Sequence, residues 1–528
     1  MRRLRYIVTA LLTVCGIALS QRDLPKAFKL SSTSNSPLPP SNSVSHIVVS
    51  DSTVWIGTSK GLARSRDRGG TWESFRLIAA FANEGIFAFS VRESLIWAST
   101  GFVGQIGGGS VQTGSGYAYS LDGGLTWRGI PQTIDAFIDT LIPYGLDTLR
   151  ALPIVVPEQN VTFDISLSPG KVWIASWASG LRFFINDTTW QRVVLPPDNL
   201  DRISPRSPSG GDTLRFYVDP RLNNNFLAFS VLAIDNDTIW CGTAGGVNKS
   251  TDGGVSWVRF THQNQASPIL GNWIIAIKEQ RFQTTRRIWA TNWIADDPDE
   301  QFGVSYTEDG GRTWQNLLHG RRAYDFAFKD SIAYIATEDG LYRTDDGGAS
   351  FTRSGTIVDP TTRQMITSAS VFAAGVMGDT VWAATNDGVV STIDNAANPF
   401  GSSWKIYRTY QQVGSSRTTY AYPNPFSPNF EITRIHYSPY VSSSIVVPAG
   451  VIGVTIDIFD FGMNVVRSVI RNAPRAVVGG PIQIGVREYD EVWDGLDDEG
   501  RVVANGVYFY RVKVDDSEPL WGKVLVLR

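Results

Sequence analysis

One phrase returns along this chain and constrains what it can fold into more than any other feature. Ser65-Arg-Asp67-Arg-Gly69-Gly-Thr71-Trp72 comes back as Ser120-Leu-Asp122-Gly-Gly124-Leu-Thr126-Trp127 and as Ser250-Thr-Asp252-Gly-Gly254-Val-Ser256-Trp257. It recurs twice more, as Thr307-Glu-Asp309-Gly-Gly311-Arg-Thr313-Trp314 and Thr344-Asp-Asp346-Gly-Gly348-Ala-Ser350-Phe351. Self-similarity of this kind means one supersecondary unit copied along an array. The Asp-x-Gly core is turn chemistry: a short carboxylate accepts backbone N–H groups, and glycine takes positive φ without a Cβ penalty. The closing aromatic starts the next strand and brings a large apolar surface to bury.

Upstream of each turn runs a second phrase, an aromatic in an alternating strand followed by small residues. It reads Val54-Trp55-Ile-Gly57-Thr58, Ile96-Trp97-Ala-Ser-Thr100, Val172-Trp173-Ile-Ala-Ser176 and Ile239-Trp240-Cys-Gly242-Thr243, and continues through Ile288-Trp289, Ala333-Tyr334 and Val381-Trp382. A short apolar strand precedes most of these, and a Gly-led strand follows. Four short strands per unit and seven units predict an all-β chain with a seven-bladed β-propeller over residues 43–410. Two units have lost the turn. The third shortens it at Asn186-Asp187, and the seventh separates Asp394 from Trp404 by an insertion.

The repeated phrase resembles the Asp-box, or bacterial neuraminidase repeat. In that family it closes hairpins between the outer strands of propeller blades, away from the binding face. The resemblance implies a structural role for Asp67, Asp122, Asp252, Asp309 and Asp346.

The chain has 47 basic and 50 acidic residues, a net charge of −3, so nothing in its balance favours nucleic acid. Residues 1–20 read as a signal peptide: Arg2-Arg3-Leu-Arg5, an apolar run and Ala18-Leu-Ser20 before Gln21. That run is too short for a membrane anchor, and no transmembrane segment is expected in the mature chain. Residues 21–42 read as a flexible leader. Removal of Cys15 with the signal leaves Cys241 without a disulfide partner, as a small core residue.

Composition shifts again near the other end. Residues 411–421 are linker-like, and 422–528 carry Tyr422-Pro-Asn424-Pro-Phe426, the turn Trp493-Asp494-Gly495, Gly506-Val-Tyr508-Phe-Tyr510 and a closing Lys523-Val-Leu525-Val-Leu527-Arg528. These motifs resemble the type A C-terminal sorting domain of the type IX secretion system, whose fold is similar to the immunoglobulin-like domain of flagellar hook-capping proteins. The resemblance implies a small β-sandwich, a sorting signal at Lys523, Leu525, Leu527 and Arg528, and the outer-membrane secretion machinery as partner. The expected address is export through the inner membrane, then secretion or attachment at the cell surface. The acidic run Asp494, Asp497, Asp498, Glu499 lacks full calcium-ligand spacing and reads as a hairpin turn.

Function is the least constrained part. The long insertions, at 101–116, 131–160, 196–225 and 292–301, all lie in links that emerge opposite the Asp-containing turns. The ligand face is therefore expected there, centred on blades two to five. Trp177, Trp273 and Trp293 fall outside scaffold positions, beside Asp296, Asp297, Asp299 and Glu300, and aromatics with carboxylates suit a glycan or a peptide. The four histidines are scattered, so neither a triad nor a metal centre is predicted, and no cofactor. The expectation is a monomeric, non-catalytic scaffold binding an unknown glycan or protein. The competing reading is a secreted glycoside hydrolase or lyase, with paired carboxylates on the loop-rich face.

Overall fold

A computed structural model describes residues 34–36, 38–81, 84–106, 109–185, 189–208, 210–211, 213–361, 364–366, 368–409, 419–437, 446–447, 450–477, 480–481, 489–515 and 518–528. The signal segment 1–20, Cys15, Asn186-Asp187 and most of the linker lie outside them. Seven antiparallel sheets follow one another. Each is a meander whose four strands run from the axis outward. Blade 1 is Val44–Ser50, Thr53–Thr58, Gly61–Ser65 and Trp72–Ser74; blade 2 is Gly85–Arg92, Leu95–Ile106, Gly109–Ser120 and Arg128–Pro131. Blade 3 is Thr162–Ser168, Lys171–Ser176, Gly180–Ile185 and Thr189–Arg192; blade 4 is Ala228–Ala233, Ile239–Thr243, Gly246–Ser250 and Trp257–Phe260. Blade 5 is Ile277–Phe282, Thr285–Asn292, Gly303–Thr307 and Gln315–Leu317. Blade 6 is Ala323–Lys329, Ile332–Thr337, Gly340–Thr344 and Thr352–Arg353; blade 7 is Ala373–Met377, Thr380–Thr385, Gly388–Ile393 and Trp404–Tyr407.

The first strands touch in chain order, and the first strand of blade 7 returns to that of blade 1. The ring is therefore closed, a seven-bladed propeller around a central channel. Second-strand aromatics fill the spaces between blades: Trp97, Trp173, Trp240, Trp289, Tyr334 and Trp382 are fully buried.

The Asp-containing turns also pack blade on blade. In each, a carbonyl accepts a hydrogen bond from a polar side chain of the preceding blade. Lys171 Nζ donates to Gly253 O (3.4 Å), Lys249 Nζ to Gly310 O (3.1 Å), Tyr306 Oη to Gly347 O (3.4 Å), Tyr407 Oη to Arg68 O (3.2 Å) and Arg64 Nη1 to Gly123 O. Glycine is required at the contact. At Gly311, φ is +98° and a Cβ would lie 2.6 Å from the Phe260 ring of blade 4.

Two expectations change. Insertions 131–160 and 196–225 do not stay wholly on the loop-rich face: the ends of the second keep Asp198 and Asn224 there, but their middle stretches leave it. They run down the rim, where Leu141–Tyr144 pairs antiparallel with Asp147–Ala151, and Tyr217–Val218 joins the latter in parallel. Ile142, Tyr144 and Leu149 pack against Trp173, Leu181 and Trp257, and Tyr144 Oη reaches Val255 O in the turn of blade 4 (2.8 Å). The apolar alternation of Leu141–Tyr144 and Asp147–Ala151 makes this an outer layer, not a set of free loops. Insertion 101–116 is likewise a hairpin arm, paired from Gly101↔Gly114 to Ile106↔Gly109. Inside the stretch read as a flexible leader, Ser34–Ser36 pairs with the outer strand of blade 1.

The C-terminal region is a small immunoglobulin-like sandwich. One sheet holds Thr419–Tyr422, Thr433–Tyr437 and Tyr489–Trp493; the other holds Val465–Val477, Gly450–Phe459, Gly506–Val514 and Leu520–Val526. The motifs of this region converge in its core. Phe426 packs on Trp493 and Trp493 on Tyr508, each at 5.5 Å between ring centroids. Asn424 clamps the last strand, donating to Lys523 O (2.7 Å) and accepting from Leu525 N (2.8 Å).

Candidate functional site

The channel mouth is shaped by a repeated irregularity. In five blades the first strand carries one extra residue, which breaks its register with the second: Ser45, Phe87, Phe163, Phe229 and Tyr324. A bulge re-aims side chains at a strand's end, and these residues sit where the chain enters each blade from the loop-rich face. Three of the aromatic ones, Phe163, Phe229 and Tyr324, join the off-scaffold tryptophans. Phe163 lies 6.4 Å from Trp177 and 5.4 Å from Phe229, and Phe229 lies 5.3 Å from Trp273. Trp273 lies 5.6 Å from Trp293, Trp293 5.8 Å from Tyr324, and Tyr324 5.3 Å from Phe372. The result is an arc from blade 3 to blade 7. Trp273 and Trp293 exchange backbone bonds (3.1 and 2.8 Å), Trp293 Nε1 donates to Ala323 O (2.9 Å), and Arg322 stacks over Trp293 and Phe302. The structure thus brings the three predicted tryptophans into one assembly. Its other members, Phe163, Phe229, Tyr324 and Phe372, read in sequence as ordinary strand hydrophobes.

Below the arc the channel is polar. Asp164 Oδ2 accepts Val231 N of blade 4 (2.9 Å), and Asp325, at the equivalent position of blade 6, accepts Ala374 N of blade 7 (3.3 Å) and pairs with Lys278 (2.6 Å). Burial pushes the Asp164 carboxyl up to about 7, against the bonds from Val231 and Ile165. Burial pushes the His46 imidazole down to about 4, with Asp325 opposing and Lys278 reinforcing. These carboxylates join neighbouring blades, a role invisible without the register.

The predicted acids lie beside the arc, in a cleft of about 470 Å³ between blades 4 and 5. Asp296 and Asp297 line it with Asp198, Arg259, Gln263 and Glu300 among others; Asp299 is exposed and contributes its backbone N–H to Asp297 (2.9 Å). Asn224 Nδ2 donates to Asp296, Gln263 Nε2 to Asp297 (2.9 Å), and Arg259 pairs with Asp198 (3.4 Å). Glu300 is buried. Its Oε1 accepts Asn272 Nδ2 (2.6 Å), and its Oε2 accepts Asn272 N (3.1 Å) and Ala295 N (2.6 Å), so it fixes the loop shape. Asp297 is held below the ordinary carboxylate range by the Asp299 N–H and then by Gln263. Sequence reasoning missed Asp198, Gln263 and Asn272, which come from other links, and Arg259, from the outer strand of blade 4; none carries a local motif.

The five turn aspartates share one geometry on the opposite side of the wheel. In the turn at Asp122, the carboxylate accepts Ser120 Oγ (2.8 Å), Thr126 N (2.9 Å) and Thr126 Oγ1 (2.5 Å). Equivalent bonds reach Asp67, Asp252, Asp309 and Asp346. All five carboxyls are held low: Asp67, Asp122 and Asp346 by these bonds, Asp252 and Asp309 because the bonds outweigh an opposing burial cost, leaving Asp309 at about 2. Asp394, read as the remnant of a seventh turn, is instead buried against Arg343 (2.6 Å) and Tyr334.

In the last strand Lys523, Leu527 and Arg528 are exposed and Leu525 is half-buried, alternating with buried Val524 and Val526. Asp497 accepts Glu499 N and Arg501 N as a turn, and no cluster of three or more metal-ligating side chains occurs among the described residues. Nor is any helix among them long and apolar enough to cross a membrane.

No family model and no curated protein matches the sequence. Solved structures similar to the chain include PorZ, described as a bacterial surface component of the type-IX secretion system of Porphyromonas gingivalis (13% identity, 92% of this chain, 66% of that chain, TM-score 0.35). Others are YCF48 from Cyanidioschyzon merolae (13%, 66% and 91%, TM-score 0.36) and an ancestral GH74 enzyme (15%, 93% and 63%, TM-score 0.49). The chain spans less than two thirds of the length of the first and the third.

Proposed function

We propose that the chain is an exported binding scaffold. Its propeller holds a glycan in the cleft between blades 4 and 5, and its C-terminal sandwich directs it to the type IX secretion machinery. In this reading the five turn aspartates serve as scaffold. The observation that carries the binding site is the lining of the cleft: carboxylates, amides and a guanidinium, whose planar groups present donors and acceptors side by side to hydroxyls, with the aromatic arc alongside. Two features favour binding over hydrolysis. A glycosidase acid has a raised pKa, whereas Asp297 is held low and the oxygens of Glu300 are engaged in holding the loop. The sorting role rests on the resemblance carried by Tyr422 to Phe426, Trp493 to Gly495 and Lys523 to Arg528.

The test is a glycan array read with the full-length protein, followed by calorimetry on the best ligand with Asp296→Ala and Gln263→Ala. Affinity is expected to fall about tenfold for each, the effect of one lost polar contact of roughly 1.4 kcal/mol. Unchanged affinity, or cleavage of the ligand, overturns the reading. Sorting is tested separately, by the protein recovered from medium and cell surface with and without residues 422–528. Equal export of both forms refutes it.

A further inference from the structure

The propeller closes without sharing a strand between its ends. All four strands of blade 7 come from the end of the propeller sequence and all four inner strands of blade 1 from its start. Every other pair of neighbouring blades is joined by the chain itself; the seam between blades 7 and 1 is held by side chains. Trp72 packs edge-on against Trp382 at 6.3 Å, and Thr409 donates its N–H and Oγ1 to Asn42 Oδ1 (2.8 and 2.9 Å). The sandwich stands over this seam on the loop-rich face, and a polar cavity of about 250 Å³ separates it from Asn42 and Thr409.

We propose that the sandwich is a clasp, gripping both sides of the seam in place of a shared strand. On the blade 7 side, Arg434 of the sandwich reaches Asp387 (3.1 Å), a wholly buried carboxylate also paired with Arg408 (2.7 Å). On the blade 1 side, Glu431 pairs with Lys60 (2.7 Å), in the turn between the second and third strands. Glu431 is pre-positioned, because its other oxygen accepts Ser427 N (3.1 Å). Four residues of sequence, from Glu431 to Arg434, thus span the join. The sandwich follows blade 7 in the chain, so the Glu431–Lys60 pair carries the chain's hold across to blade 1. Its release leaves that edge of the ring dependent on the seam's own packing. The inference rests on this geometry and is independent of what the cleft binds or how the chain is exported.

Hydrogen exchange on the full-length protein tests it, comparing wild type with Glu431→Lys, Glu431→Gln and the swapped pair Lys60→Glu/Glu431→Lys. Like charges at 60 and 431 are expected to raise exchange about fivefold in peptides spanning 44–50 and 404–407, with a smaller rise for Glu431→Gln. Peptides covering Ala228–Ala233 stay unchanged, and the swapped pair restores protection. Unaltered exchange at the seam overturns the clasp, as does a rise spread evenly over all seven blades in both single variants, or a swapped pair as labile as Glu431→Lys.

Discussion

Asp164→Asn and His46→Gln, made singly and together, separate two opposed titrations inside the channel. Burial lifts the Asp164 carboxyl from 3.8 to about 7, helped by the charge of Asp325 and opposed by Lys278, and it lowers His46 from 6.5 to about 4. Asp164 therefore takes up a proton on folding. Its contribution to stability is complete below pH 3.8 and is lost as pH rises through 7. His46 gives up a proton on folding, so its contribution is complete above pH 6.5 and is lost as pH falls through 4. At 1.36 kcal/mol per pKa unit the ceilings are about 4 kcal/mol for Asp164 and about 3 kcal/mol for His46. Both residues are half-buried rather than sealed from solvent, and screening brings each to about half of that. In the wild type the two slopes offset one another between pH 4 and 6.5. Relative to wild type, Asp164→Asn is expected to grow more stable with rising pH over that range, His46→Gln less stable, and the double variant to run parallel to wild type. Urea midpoints followed by tryptophan fluorescence at pH 4.5, 5.5, 6.5 and 7.5 supply the comparison. Single variants whose midpoints keep a constant offset from wild type would refute the account, because the channel would then not be setting either proton affinity.

Gly311→Ala is expected to cost about 1–3 kcal/mol, from positive φ and from the collision with Phe260. Thermal unfolding checks it beside Gly320→Ala, where φ is also positive but nothing lies within 4 Å; equal losses would show that the contact between blades adds nothing. Cys241 is buried, with its thiol pushed up by burial and then by Asp164. It should resist a thiol reagent at neutral pH until the protein is unfolded in urea, and stoichiometric labelling of the native protein within minutes would contradict the packing.

What could be read from sequence was whatever repeats. The turn phrase and the second-strand aromatic each recur at fixed places, so turn chemistry and periodicity place the strands and count the blades without any knowledge of contacts. The bulge in the first strand repeats as often, yet it is silent in sequence. An extra residue in a strand of six to eight residues shows only as a change of pairing partner, as between Thr162↔Ser176 and Asp164↔Ala175. That silence hid the aromatic arc: Trp177, Trp273 and Trp293 stood out because no scaffold position needed them, while Phe163 and Tyr324 did not. The cleft was half legible for a similar reason. Asp296 and Asp297 lie together in one insertion, but Asp198 comes from the link before blade 4, Arg259 from the outer strand of that blade and Gln263 from the link after it, and only the packing of blade 4 against blade 5 brings them together.

Loop length proved a poor guide to loop destination, and the reason is physical. Insertions 131–160 and 196–225 carry apolar residues in strand-like alternation, Ile142, Tyr144, Leu149 and Ala151 among them, and such a pattern must find a surface to bury. The rim of blades 3 and 4 offers one through Trp173, Leu181 and Trp257. The polar insertion at 292–301 has no such face and stays beside the channel, where its carboxylates meet the groups of blade 4. Composition within each stretch of a loop, more than the loop's length, therefore decides whether that stretch clads the scaffold or, as at Asp198 and Asn224 near the ends of 196–225, builds a site on it. The same reasoning assigns the turn aspartates a second role. Their carboxylates close each hairpin locally, but their glycines and carbonyls face the preceding blade, so each copy of the phrase both ends one strand and docks its blade against the last.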